Sequence, residues 1–173
     1  MIFISGVHGA GKSFFCDLVR KQIGIESYSA SKLIIERKKA GFPASKLIPD
    51  IDENQQYLLD AVEELRASGK DFLLDGHFCL LDGSGVITRI SEDIFTTLHP
   101  EAIVLLTEDP IVIAQRRRSR DDVFPVVDDI RAFQEEEIKY AREIADLIRV
   151  PIKISKGSID IDNTISFITE RRK

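Results

Sequence analysis

The chain has 173 residues, 43% hydrophobic and 31% charged, which fits one globular domain with a substantial core. A net charge of −5 argues against a whole-surface nucleic-acid binder, although local basic clusters can still hold phosphate. No apolar run approaches the ~20 residues of a bilayer span, so no membrane association is expected.

The N-terminus shows no charged region ahead of a cleavage site, so a secretory signal is not expected. Cys16 and Cys79 are far apart and fit no metal spacing, so they read as reduced thiols of a cytoplasmic protein.

Ile2-Phe3-Ile4-Ser5 reads as a short buried strand. The next eight residues are Gly6-Val7-His8-Gly9-Ala10-Gly11-Lys12-Ser13, a full match to G-x-x-x-x-G-K-[ST] between strand and helix. The glycines let backbone N–H groups approach a polyphosphate, and the following helix adds its positive N-terminal end. Lys12 is placed to reach the β- and γ-phosphates, and Ser13 to offer its hydroxyl to Mg²⁺. Gly6, His8, Gly9, Ala10, Gly11, Lys12, Ser13 and the adjoining Phe14 are thus the candidate ATP-binding residues.

A helix over 12–23 follows, with Phe15, Leu18, Val19 and Ile23 on one face and Gly24 ending it. Residues 25–29 read as a second strand, and 31–40 as a helix stopped by Gly41-Phe42-Pro43. Asp52 with Gln55 reads as a capping box for a helix to about 67, with Leu58, Leu59, Val62 and Leu65 inward.

Residues 71–75 form a third strand, apolar inside and acidic at its exit. Asp75 is the candidate second Mg²⁺ partner, because a parallel sheet brings that exit to the same edge as the glycine loop. His77 reads as holding a phosphate or a loop carbonyl, as orienting Asp75, or as purely structural. Residues 76–90 read as a loop or small hairpin with its turn at Asp82-Gly83-Ser84-Gly85.

Ser91 is expected to cap a short helix to Leu98, and 101–107 to form another buried strand. Asp109-Pro110 starts a helix to about Arg118, followed by a polar stretch around Phe124-Pro125. Arg116 and Arg120 lie four positions apart and share a face. They are the candidate cations that close over a transferring phosphoryl group, with Arg131 a weaker one. A long helix over 127–148, a strand over 151–154 and a helix over 158–171 complete the chain.

Short apolar strands alternating with helices imply a parallel sheet covered on both faces, with no second domain. The fold class read from this pattern is α/β, a P-loop NTPase fold.

The octet, the Asp75-Gly76-His77 strand exit and the run LHPEAIVLLTEDPIVIAQRRRSRD together resemble nucleoside monophosphate kinases, nearest to archaeal-type adenylate kinases. The resemblance covers nearly the whole chain in element order, with only the octet highly specific. It implies a five-stranded parallel sheet, an ATP and Mg²⁺ site, an acceptor-binding helical segment near 29–60 and a short lid near 117–128.

In that segment Ser29, Ser31 and Arg37, together with His77, are the candidate acceptor contacts; for Arg37 a solvated helix face is the other reading. The acceptor side departs from the family pattern. The common pattern puts an arginine nearer position 35 or 36, where this chain has Ile35 and Glu36, and the loop over 80–86 differs from the family's. A homo-oligomer is compatible with the resemblance, since archaeal-type relatives form trimers.

The function expected is ATP-dependent phosphoryl transfer to a small acceptor, foremost a nucleoside monophosphate. The alternatives are a kinase for a hydroxyl acceptor, with Asp75 or Asp82 as base, and an ATP-binding switch acting through a partner.

Overall fold

The computed structural model describes residues 1–38, 51–122 and 124–171, and at 51 and 52 the backbone only. Strands β1 (Ile2–Ser5), β2 (Glu26–Ser29) and β3 (Phe72–Asp75) alternate with helices α1 (Lys12–Ile23), α2 (Ala30–Lys38) and α3 (Ile51–Ala67). A hairpin of β4 (Cys79–Leu81) and β5 (Ile87–Arg89) leads into α4 (Glu92–Leu98). Then come β6 (Ala102–Thr107), α5 (Pro110–Asp121), α6 (Val127–Ile148), β7 (Ile152–Lys156), a 3₁₀ turn (Gly157–Asp160) and α7 (Ile161–Thr169).

Five strands form one parallel sheet in the order β2-β3-β1-β6-β7. This is the five-stranded parallel sheet expected from the sequence. The strands are too short and apolar to alternate with water, so both faces are covered.

Side chains alternate between faces along each strand. Phe3, Leu74, Ile103 and Leu105 pack toward α3, α4 and α6. Ile2, Ile4, Leu73, Val104 and Leu106 pack toward α1, α5 and α7. On the first face the Phe3, Phe78 and Phe95 rings meet edge-on or stacked, with centroids 4.6–5.7 Å apart.

Register delivers the site. Ile4 and Ser29 both pair with Asp75, and Ser5 pairs with Leu105. The ends of β1, β2 and β3 therefore share one carboxyl edge, next to the crossover where ligands bind in such sheets.

The first turn of α5 is capped as expected, with Asp109 accepting from the Ile111 N–H at 2.8 Å and proline at the first helical position. Three expectations need correction. Helix α5 runs on to Asp121, so Arg120 is helical rather than in a loop. Ser91 occupies the cap position of α4, yet its side chain makes no capping bond. The last helix begins at Ile161, after a 3₁₀ turn. The capping box of α3 and the stop at Gly41-Phe42-Pro43 fall on side chains or residues outside those described. Among the described residues, no helix is long and apolar enough to cross a membrane.

Candidate active site

The loop from Gly6 to Ser13 leaves β1 and enters α1 with Gly11 at the cap position. Gly6 has φ 140°, and a Cβ there would overlap the Leu106 carbonyl oxygen. Only glycine lets the backbone turn that close to β6. The loop opens on a cleft of about 1660 Å³ along the carboxyl edge of the sheet. His8, Gly9, Ala10, Gly11, Lys12, Ser13 and Phe14 all border it, and Phe14 stands 64% exposed at its mouth.

Lys12 is the centre of the site and is only 8% exposed. Its Nζ donates to the Gly6 carbonyl at 2.5 Å and lies 3.1 Å from His77 Nε2 and 4.0 Å from Asp75 Oδ1. Three groups from two strand exits thus hold the ammonium before any phosphate arrives. Burial pushes the Asp75 carboxyl above its ordinary range, against the attraction of Lys12 and Lys32.

Ser13 and Asp75 border the same cleft and supply only oxygen, the donor type Mg²⁺ prefers. Among the described residues no cluster of three His, Cys, Asp or Glu forms a metal cage. That fits an ion which protein and substrate phosphates share, so the residues present suit Mg²⁺.

Both candidate arginines reach the loop from α5. Arg116 pairs with Glu108 at 2.9 Å and donates to the Gly9 carbonyl at 3.4 Å. Arg120 clasps Asp121 through two bonds of 2.8 Å and touches His8 Nε2. Its hydrogen bonds hold the Asp121 carboxyl well below the usual carboxylate range. Arg131 pairs with Asp128 of its own helix at 3.8 Å.

The acceptor-side candidates divide. Ser29 and Ser31 line the cleft with their hydroxyls 2.9 Å apart, and His77 faces it from the exit of β3. Arg37 is not brought to the site. It pairs with Glu64 of α3 at 2.5 Å and donates to the Asp60 carbonyl, across the packing of α2 on α3.

Three residues that matter here were not singled out from the sequence. Glu108 anchors Arg116, and its position at the end of β6 was the available signal. Gln55, one half of the expected capping box, lines the cleft at 4% exposure, and its Oε1 has no hydrogen-bond partner among the described residues. Glu137 is fully buried, although its inward place on the apolar stripe of α6 was legible as 130, 133, 137, 141, 144 and 148. Burial pushes its carboxyl upward, and hydrogen bonds from Ser5, Phe78 and Cys79 oppose the shift.

A parallel sheet with a lysine-bearing glycine loop, an acidic neighbouring strand exit and arginines facing the loop defines a P-loop phosphotransfer site. The family model described as AAA domain matches residues 5–134, and the chain belongs to that family, with the fold of the P-loop kinases.

Among curated relatives, the adenylate kinase of Pyrobaculum aerophilum is 29% identical over 130 residues. That match covers 71% of this chain and 66% of the relative's length. The adenylate kinase of Thermoplasma volcanium is 27% identical over 165 residues, 89% of this chain and 88% of that one.

Among solved structures, a shikimate kinase from Bacteroides thetaiotaomicron superposes with TM-score 0.56 at 14% identity, covering 98% of this chain and 96% of that one. A gluconokinase from Sinorhizobium meliloti does so with TM-score 0.57 at 18% identity, covering 99% and 97%. At these identities the structural likeness is one of fold.

Proposed function

We propose that this P-loop kinase transfers the γ-phosphoryl group of ATP to a nucleoside monophosphate in the cytoplasm. The observation that carries the reading is the cleft itself. In it Lys12, Ser13 and Asp75 meet the glycine loop. Ile34, Leu58, Ile87 and Ile90 add apolar lining to the same cleft, which Gln55 also borders with an Oε1 that lacks a hydrogen-bond partner among the described residues. A flat heterocyclic base, apolar on its faces and polar at its edge, suits that lining. The names of the archaeal relatives point the same way.

In this mechanism the loop amides and Lys12 take the donor phosphates, and Lys12 exchanges the Gly6 carbonyl and His77 for phosphate oxygens. Ser13 and Asp75 would hold Mg²⁺, which when bound would supply positive charge to offset that of the donor phosphates. Arg116 and Arg120 give up Glu108 and Asp121 as a short lid near 117–128 closes, and water is excluded. An acceptor phosphate oxygen attacks the γ-phosphorus as the bond to the bridging oxygen breaks, leaving ADP. The acceptor phosphate is already ionised near neutral pH, so no general base is required.

A second reading, a hydroxyl acceptor, rests on two observations. Arg37 turns away from the cleft, and the buried Asp75 carboxyl is shifted toward a proton-accepting range.

One assay decides between them. The protein is incubated with γ-labelled Mg·ATP and a panel of nucleoside monophosphates, nucleosides, sugars and water alone. Label in a nucleoside diphosphate is the expected result. Label in a new phosphate monoester supports the second reading, and label only in free phosphate sinks both. Lys12→Ala is expected to abolish every product.

A further inference from the structure

Glu137 is a carboxylate with no exposed surface, on a helix face otherwise formed by Ile130, Tyr140, Ala141 and Ile144. A charge placed there is costly unless hydrogen bonds replace its water. Three do. Its Oε1 accepts from the Ser5 hydroxyl and from the Phe78 N–H at 2.9 Å, and its Oε2 accepts from the Cys79 N–H at 2.7 Å.

The location of those donors is informative. The β1–β3 ladder extends one residue past the strands, through the Gly76 N–H and the Ile4 carbonyl at 2.9 Å. Beyond that point the two chains diverge, one into the glycine loop and the other into the hairpin. Glu137 takes over where the ladder stops. It grips Ser5, which adjoins Gly6, and it grips Phe78, which adjoins His77.

Gly6 and His77 are two of the groups that hold Lys12, at 2.5 and 3.1 Å. An ammonium has only protons to give. His77 Nε2 therefore accepts, and its ring carries the proton on Nδ1. Each of these two supports of Lys12 is bonded in sequence to a residue that Glu137 holds.

We propose that Glu137 is a positioning residue for phosphoryl transfer: by clamping Ser5 and the Phe78–Cys79 amides, it sets the spacing between Gly6 and His77 that aims Lys12. This rests on the proposed role of Lys12 toward ATP phosphates, but not on which acceptor is used. The clamp needs a carboxylate. Three donors converge on two acceptor oxygens, whereas a carboxamide of the same shape offers one oxygen and turns an NH₂ toward a donor. A small displacement of a catalytic group suffices to slow chemistry, with ~1 Å able to cost about 100-fold.

The test uses the full chain and the variants Glu137→Gln and Ser5→Ala. Three quantities are read: label released from γ-labelled Mg·ATP with acceptor or water, the calorimetric Kd for Mg·ATP, and the ¹⁵N signature of the His77 ring. The chain has only three histidines, which makes that ring assignable.

Glu137→Gln is expected to slow turnover about 10-fold or more while the Kd stays within about threefold, because the loop amides still bind phosphate. The His77 ring is expected to leave its single Nδ1–H form for a mixture of tautomers. Ser5→Ala, which keeps both amide bonds, should fall between the two.

Wild-type turnover with an unchanged His77 signature overturns the proposal. So does a loss of turnover that parallels a loss of affinity and fold while the signature stays fixed. If Glu137→Gln does not fold, Ser5→Ala decides alone: slowed turnover with a shifted His77 ring supports the clamp, and wild-type values reject it. If no variant and no wild-type protein turns over ATP, the kinase reading fails separately, and the His77 ring still reports on the clamp.

Discussion

Asp75 shows how a residue proposed to hold Mg²⁺ can cost stability. Burial raises its pKa in the folded chain even with Lys12 and Lys32 attracting the charge. A carboxyl raised in this way favours folding while protonated, below the ordinary value of about 3.9. That contribution is lost as pH climbs through the folded pKa. Once pH is above that folded pKa, the ionised Asp75 works against the fold. Asp75→Asn is expected to melt above wild type at pH 7, with the gap closing toward pH 4, as calorimetry across that range will show. Phosphoryl transfer by the same variant should fall by about two orders of magnitude or more. A melting point below wild type at pH 7 would contradict this account. Cys16 follows the same logic without the function: burial pushes its thiol to about 12, which suits the reduced, inert cysteine expected from the sequence.

Helices and strands meet most tightly where β3 exits. Gly76 lies against Phe3, and a Cβ there would come within 2.8 and 2.9 Å of the ring. The ring has no room to yield, because Phe78 and Phe95 pack around it. Gly76→Ala is expected to cost about 1–3 kcal/mol, as overpacked cores do. That lowers the Tm by roughly 3–10 °C for a chain of this size, measurable by calorimetry. The hairpin that follows is pinned to α6. Arg89 bonds Glu136 and Glu143 at 2.6 Å each and lies over the Tyr140 ring, whose hydroxyl donates to the Ile90 carbonyl at 2.6 Å. These contacts place Leu80, Leu81 and Ile87 on the cleft wall, so α6 supports that wall from behind.

For the whole molecule, the arrangement predicts coupling between nucleotide and stability. Lys12 and both arginines hold protein partners before nucleotide binds, so ligand exchange trades one set of ionic contacts for another. A ligand that binds only the folded chain stabilises it by about 2.7 kcal/mol at 100 times its Kd. Mg·ATP at that level should raise the Tm by roughly 5–10 °C, in one cooperative transition if the chain is one domain. Lys12→Ala should lose most of that shift. An undiminished shift in this variant would place the nucleotide elsewhere.

The sequence was most informative where chemistry is local. The octet, the strand–helix alternation and the acidic exit of β3 each depend on neighbours a few residues away, so the sheet and the ATP side could be read directly. Distance along the chain was the obstacle elsewhere. Whether Arg37 faces an acceptor or Glu64 depends on how α2 packs on α3. That Gln55 lies buried on the cleft depends likewise on where the fold carries α3. The extent of α5 was also misjudged, since charged residues alone do not end a helix.

Composition and spacing by themselves determined a lysine-bearing glycine loop on a parallel sheet, because backbone geometry at Gly6 and charge at Lys12 are properties of one short segment. Only the tertiary structure decided what surrounds that lysine. Residues 5, 75, 77, 78 and 137 come from separate parts of the chain: Asp75 and His77 meet Lys12, and packing of α6 against the sheet edge lets Glu137 hold Ser5 and Phe78 beside them.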